Sequence, residues 1–158
     1  MNLIDIKSPA DLKGLSISEL TDLTVQARQA LMIKVSEHGG HFGPPMGVAE
    51  MIMALHYVFN SPVDKIVYDV SHQSYVHKMV TGRALAFLDH DHYDDVTGYT
   101  DPTESEHDFF NIGHTSTSIS LASGLATARN LKGDSENIIA IIGDGSLSGG
   151  EAFEGLDY

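Results

Sequence analysis

Residues 137–146 read NIIAIIGDGS, and this stretch decides the fold class. Ile138 to Ile142 are five consecutive Ile or Ala residues, the pattern of a short strand buried in a parallel sheet. Gly143-Asp144-Gly145-Ser146 is the turn off its end, and Gly150 to Tyr158 begins a helix. Working backward, Thr115 or Ser116 can cap a helix running through Ile119, Leu121, Ala122, Leu125 and Ala126 to about Asn130, with Gly133 ending it. Ser123, Gly124 and Ala126 are small enough for close packing. Earlier still, Lys65 to Val70, KIVYDV, reads as another buried parallel strand, and the polar loop SHQSYVHK leaves its C-terminal end.

The N-terminal third is helical. Ser16 and Glu19 have capping-box spacing, and Leu20, Leu23, Ala27, Ala30, Leu31 and Lys34 keep a helical rhythm up to Gly39-Gly40. After the glycine- and proline-rich loop HGGHFGPPMG, Val48 to Phe59 is apolar nearly all round, as a helix buried between other elements would be, and Asn60-Ser61-Pro62 stops it. Asp89 to Asp108 is polar, acidic and broken by Gly98 and Pro102, which predicts a long irregular excursion. The order helix, strand, helix, strand, helix predicts an α/β fold, a parallel sheet with helices on both faces, in one domain over residues 1–158.

Composition narrows the function. With 22 Asp plus Glu against 9 Lys plus Arg in 158 residues, the chain's field repels polyanions and provides no basic stripe for nucleic acid. The absence of cysteine removes disulfides and thiolate metal sites and fits a reducing, cytoplasmic setting. The N-terminus lacks an apolar run of signal-peptide length, and no later run reaches the ~18 residues that span a bilayer.

In open parallel sheets ligands bind beyond the carboxyl ends of the strands, where loop amides and helix N-termini meet negative charge. Gly143 to Ser146 sits at such a place. Its glycines admit a diphosphate to the backbone, Ser146 offers a hydroxyl, and Asp144 offers the hard anionic oxygen that Mg²⁺ prefers. No GKS or GKT is present, which disfavours a P-loop. Among nine histidines, His41, His72 and His114 stand out because each falls in a Gly-, Ser- or Thr-rich loop at an element end. His38 and His77 read as structural. The run DHDHYDD, Asp89 to Asp95, alternates carboxylate and imidazole but reads as a solvated acidic loop.

Several segments resemble one family. Gly-Asp-Gly after a buried strand is similar to the start of the thiamine-diphosphate signature, which closes further along with an Asn that also binds the metal. LHYVFNSPVDKIVYDVSHQSYVHKMVTGR, Leu55 to Arg83, closely resembles the deoxyxylulose-phosphate synthases, which carry Gly in place of Ser71. IGHTSTSIS, Ile112 to Ser120, resembles that family's Gly-His-Ser-Ser-Thr-Ser-Ile-Ser, and GGHFGPPMG stands where its Gly-Gly-His loop does. Two departures are visible: GYTDPTESEHD is shorter than the family's run before Glu-Ser and lacks its Phe-Pro pair, and Pro45, Gly47 and Ala49 are closer to the transketolase pattern.

The resemblance implies a thiamine-diphosphate-binding domain of the diphosphate (PP) type, incomplete at its C-terminal end, with the pyrimidine-binding and C-terminal domains outside this chain. It implies that His72, Gly113, His114, Thr115, Gly145 and Ser146 bind the cofactor, that Asp144 binds Mg²⁺, and that His41 faces the substrate as a proton relay, a role suited to imidazole near neutrality. It further implies a cytoplasmic homodimer that condenses pyruvate with glyceraldehyde 3-phosphate and releases CO₂, with the activating glutamate supplied by the pyrimidine-binding domain. The alternatives are a transketolase-like ketol transfer between sugar phosphates and a noncatalytic cofactor-binding subunit.

Overall fold

The computed structural model describes all 158 residues, Met1–Tyr158. The chain forms two compact units, each discontinuous in sequence: Met1–Asn60 with Gln73–Gly98, and Ser61–His72 with Tyr99–Tyr158.

The first unit is helical. Helix α1, Ile17–His38, starts as expected: Ser16 Oγ accepts from the Glu19 amide and the Glu19 carboxylate accepts from the Ser16 amide. Its apolar stripe, Leu20, Leu23, Ala27, Ala30 and Leu31, is buried, and so is Lys34. Gly39 ends it at φ +88, a conformation that suits a residue without Cβ.

The GGHFGPPMG segment is not wholly a loop. Gly43–Gly47 forms the short helix α2, because prolines near a helix start have a preset φ and lack only amides that would be unpaired there. Helix α3, Ala49–Val58, buries Ala49, Ile52, Met53 and His56.

The segment read as the loop SHQSYVHK also turns helical in its second half. Tyr75–Lys78 is α4, all four residues buried, and it runs through a π-type turn, Met79–Arg83, into α5, Leu85–Leu88. The polar letters conceal a core segment because the polar atoms are satisfied inside: His77 Nδ1 lies 2.8 Å from His56 Nε2, both rings fully buried. The acidic run is partly regular, with a 3₁₀ helix at His90–Asp95 capped by Asp89 Oδ1, which accepts from the Asp91 amide.

The second unit is built on two parallel strands, β1, Lys65–Tyr68, and β2, Ile138–Ile141, with Lys65 opposite Ile138. The Asp69 amide extends the ladder by donating to Ile141 O at 2.8 Å. Ile66, Val67 and Tyr68 are buried, but in β2 only Ile141 is. The expectation of a fully buried second strand therefore holds at its C-terminal end alone.

Helix α6, Ser118–Lys132, packs on both strands and ends at Gly133, φ +78, as the sequence indicates. Its start differs from expectation. Thr117 is the N-cap and makes no side-chain cap bond; neither Thr115 nor Ser116 provides one. Beyond β2 come α7, Asp144–Leu147, and α8, Gly150–Asp157. Helices α6 and α8 meet closely at Gly155, where a Cβ would fall 2.9 Å from Ser120 Oγ and 3.0 Å from Ser120 N.

Candidate functional site

In the second unit the two strands end side by side, at Tyr68 and Ile141, and the segments leaving them carry most of the residues that the sequence singles out. After β1 the chain turns through Val70 and Ser71, at φ +59 and +68, to His72. After β2, Gly143 caps the helical turn of Asp144, Gly145 and Ser146, whose Leu147 amide returns to Gly143 O at 2.9 Å. The loop Gly113-His114-Thr115 enters from before α6.

Two arms of backbone donors result. The amides of Gly113, His114 and Thr115 have no acceptor within the chain, and neither do those of Asp144, Gly145 and Ser146. A Cβ placed at Gly113, Gly143 or Gly145 would meet nothing within 4 Å, so the backbone is open to a ligand at these points. The Asp144 carboxylate is exposed and makes no hydrogen bond or ion pair. His114 is oriented locally, its Nδ1 2.8 Å from Thr115 O.

The arms are tied together. Ser116, at φ +71, donates from its hydroxyl to Ser146 O at 2.6 Å, and its amide donates to Asp69 Oδ2 at 3.0 Å. The Ser118 amide donates to Asp69 Oδ1, also at 3.0 Å. Asp69 thus caps α6, accepting from the amide of its first residue, Ser118, and from that of Ser116, where neither Thr115 nor Ser116 places a side-chain cap. Burial pushes the Asp69 carboxyl up, but the hydrogen bonds from the Ser118 and Ser116 amides outweigh burial and hold it below the usual carboxylate range. Gly149 is part of the same tie: a Cβ there would collide with Ser116 Oγ and lie 2.9 Å from Ser116 Cβ.

A cavity of about 340 Å³ opens beside the first arm, lined by Asn111, Gly113, His114, Thr117, Leu121 and Glu151 among others. Thr115, His72 and Asp144 do not line it. With Glu151 on its wall and no Lys or Arg, a diphosphate there needs neutral N–H donors and a cation. No three His, Cys, Asp or Glu side chains converge to hold a metal. Asp144 alone suits Mg²⁺, which commonly takes one or two carboxylates and completes its shell with phosphate oxygens and water. The donor set fits both groups.

His41 belongs to the first unit. It follows Gly39 and Gly40, at φ +88 and +124, and a Cβ at Gly40 would lie 2.8 Å from the Tyr75 hydroxyl. The His41 amide donates to that hydroxyl at 3.2 Å, and its Nδ1 is 3.4 Å from it. A cavity of about 260 Å³ is lined here by His41, His38, Tyr75, Tyr93 and Lys34. The Lys34 ammonium donates to Ala86 O and Tyr93 O, both at 2.8 Å, and lies 4.4 Å from the Phe87 ring centre. His38 Nε2 is 2.9 Å from Asp94 Oδ1, and in the acidic run His92 pairs with Asp95, which raises the His92 pKa.

Sequence reasoning passed over Asp69, Ser116 as a tie, Gly149, Glu151 and the placement of Lys34 at a cavity. Two signals were present: an Asp at the end of an otherwise apolar strand, and a Lys in register with the buried stripe of α1.

An α/β chain with exposed backbone donors beyond the C-terminal ends of parallel strands has the layout of the anion-binding α/β proteins. A family model described as 1-deoxy-D-xylulose-5-phosphate synthase matches residues 3–158, and the chain belongs to that family. It is 54 % identical over 155 residues to the 1-deoxy-D-xylulose-5-phosphate synthase of Caldanaerobacter subterraneus subsp. tengcongensis, covering 98 % of this chain and 25 % of that protein. To the synthase of Symbiobacterium thermophilum it is 50 % identical over 158 residues, covering all of this chain and 24 % of the relative, and to that of Shouchella clausii 51 % over 158 residues, covering all of this chain and 25 %. The chain spans about a quarter of the length of these relatives.

Proposed function

We infer that the chain is the diphosphate-anchoring part of a thiamine-diphosphate enzyme that condenses pyruvate with glyceraldehyde 3-phosphate to 1-deoxy-D-xylulose 5-phosphate and CO₂. The pyrimidine-binding and C-terminal domains then belong to the remaining three quarters of such an enzyme, which acts as a cytoplasmic homodimer. No helix here is long and apolar enough to cross a membrane. The observation that carries the reading is the pair of donor arms, amides 113–115 and 144–146, joined by Ser116 and flanked by the unpaired Asp144 carboxylate.

In this reading the amides of Gly113, Thr115, Gly145 and Ser146 bind diphosphate oxygens, Asp144 holds Mg²⁺ against them, and His72 and His114 bound the cofactor. When bound, thiamine diphosphate supplies the electron sink for breaking and making bonds at a carbonyl carbon. Fixed amide dipoles are suited to the anchor because they need no reorganisation as charge arrives. His41, held by Tyr75, moves a proton at the substrate.

The test is Asp144→Ala in the full-length protein. Mg²⁺-dependent cofactor binding, followed by calorimetry, should weaken by about 1.4 kcal/mol or more, tenfold in affinity. Unchanged binding would remove Asp144 and the reading with it. Release of CO₂ from pyruvate that depends on glyceraldehyde 3-phosphate separates this activity from ketol transfer between sugar phosphates.

A further inference from the structure

Asp69 is 1 % exposed and carries a charge. Its main chain is fixed by the sheet through the bond to Ile141 O, while both carboxylate oxygens are committed to amides of the segment leading into α6. A buried charge is retained only where its partners compensate it, and here the compensation consists almost wholly of backbone donors. One of the two residues it holds is unusual in its turn. Ser116 has a left-handed φ of +71, which a side-chain-bearing residue adopts only where its surroundings insist, and its hydroxyl passes the constraint on to Ser146 O. The neighbouring position is a glycine because any side chain there would push Ser116 away.

We propose that Asp69 is a positioning residue for cofactor binding, which through Ser116 sets the spacing of the two donor arms, Gly113–Thr115 and Asp144–Ser146. This rests on the reading of those arms as a diphosphate anchor. A separation fixed before the ligand arrives spares the ordering cost of two loops, so its loss appears in affinity. The Asp69→Asn side chain keeps the size but presents one acceptor where two amides need one each, and turns an NH₂ toward the other.

The experiment uses the full-length protein with thiamine diphosphate and Mg²⁺. Calorimetry should show the dissociation constant rising tenfold or more in Asp69→Asn, and several-fold in Ser116→Ala, which removes only the bond to Ser146. Amide hydrogen exchange on the ligand-free protein supplies the second readout: segments 113–118 and 144–149 should exchange faster in Asp69→Asn while β1 and β2 stay protected. A folded Asp69→Asn that binds within twofold of the parent, or one whose exchange rises evenly across the chain, overturns the proposal. If Asp69→Asn does not fold, Ser116→Ala decides, and unchanged affinity with unchanged exchange at 144–149 overturns it. Failure here with Asp144→Ala still impaired leaves the anchor in place; an unimpaired Asp144→Ala removes the anchor itself.

Discussion

Ser71 sits at φ +68, a left-handed conformation that favours glycine, and its hydroxyl accounts for its presence. It donates to Ile112 O at 2.7 Å and accepts from the Thr100 amide at 3.0 Å, at a place where Ser71, Thr100 and Ile112 are all buried. Two opposing terms can be separated by substitution. Ser71→Ala keeps the left-handed backbone and leaves a buried donor and acceptor unpaired, which should cost about 2 kcal/mol or more. Ser71→Gly loses the same bonds but regains about 1 kcal/mol of backbone strain. Denaturant unfolding of the full-length protein should therefore rank parent, then glycine, then alanine. An alanine variant as stable as the glycine one would show that the strain is not felt. At this scale the sequence does not reveal the strained backbone of Ser71, because a φ angle leaves no trace in an isolated letter other than glycine.

Among the elements, Gly149 carries the sharpest expectation. Its φ of −75 is open to any residue, so the constraint is space alone. Gly149→Ala should cost about 1–3 kcal/mol, since Ser116 and the chain between α7 and α8 must move apart. A melting curve within a degree of the parent would contradict the crowding. Elements that declare themselves locally were legible: the Ser16–Glu19 box that opens α1, the runs KIVY and IIAI, and Gly133 closing α6. Elements decided by distant partners were not. Helix α4 hides behind His77 and Lys78, which look solvated but are fully buried, and the start of α6 is misread because its cap comes from Asp69, 47 residues away from Ser116. The turn Gly143–Ser146 could be located from its glycines and aspartate at a strand end; the bonds that hold it could not, since they join backbone atoms to residues remote in sequence.

Over the whole chain acid is in excess, a formal charge of −13, which disfavours polyanionic partners. It also directs attention to acid stability. The folded Asp69 carboxyl lies below its unfolded value of about 3.9, so its contribution is fully present above that pH and is lost as pH falls through the folded pKa. The gap in unfolding midpoint between the parent and Asp69→Asn should stay constant from neutrality to about pH 5 and narrow below about pH 4. A gap that shows no narrowing below the unfolded value would mean that the charge is not what stabilises.

The two compact units interleave along the chain, and this has a bearing on biosynthesis. Strand β1 leaves the ribosome long before β2, its partner here, since Asp64 and Asn137, paired at the head of the ladder, are 73 residues apart. At translation rates of about 5–20 residues per second the nascent Ile66-Val67-Tyr68 edge waits roughly 4 to 15 s for β2 to emerge. During that interval it is an adhesive segment on a tethered chain, of the kind that holdase chaperones shield and that crowded polysomes can cross-pair.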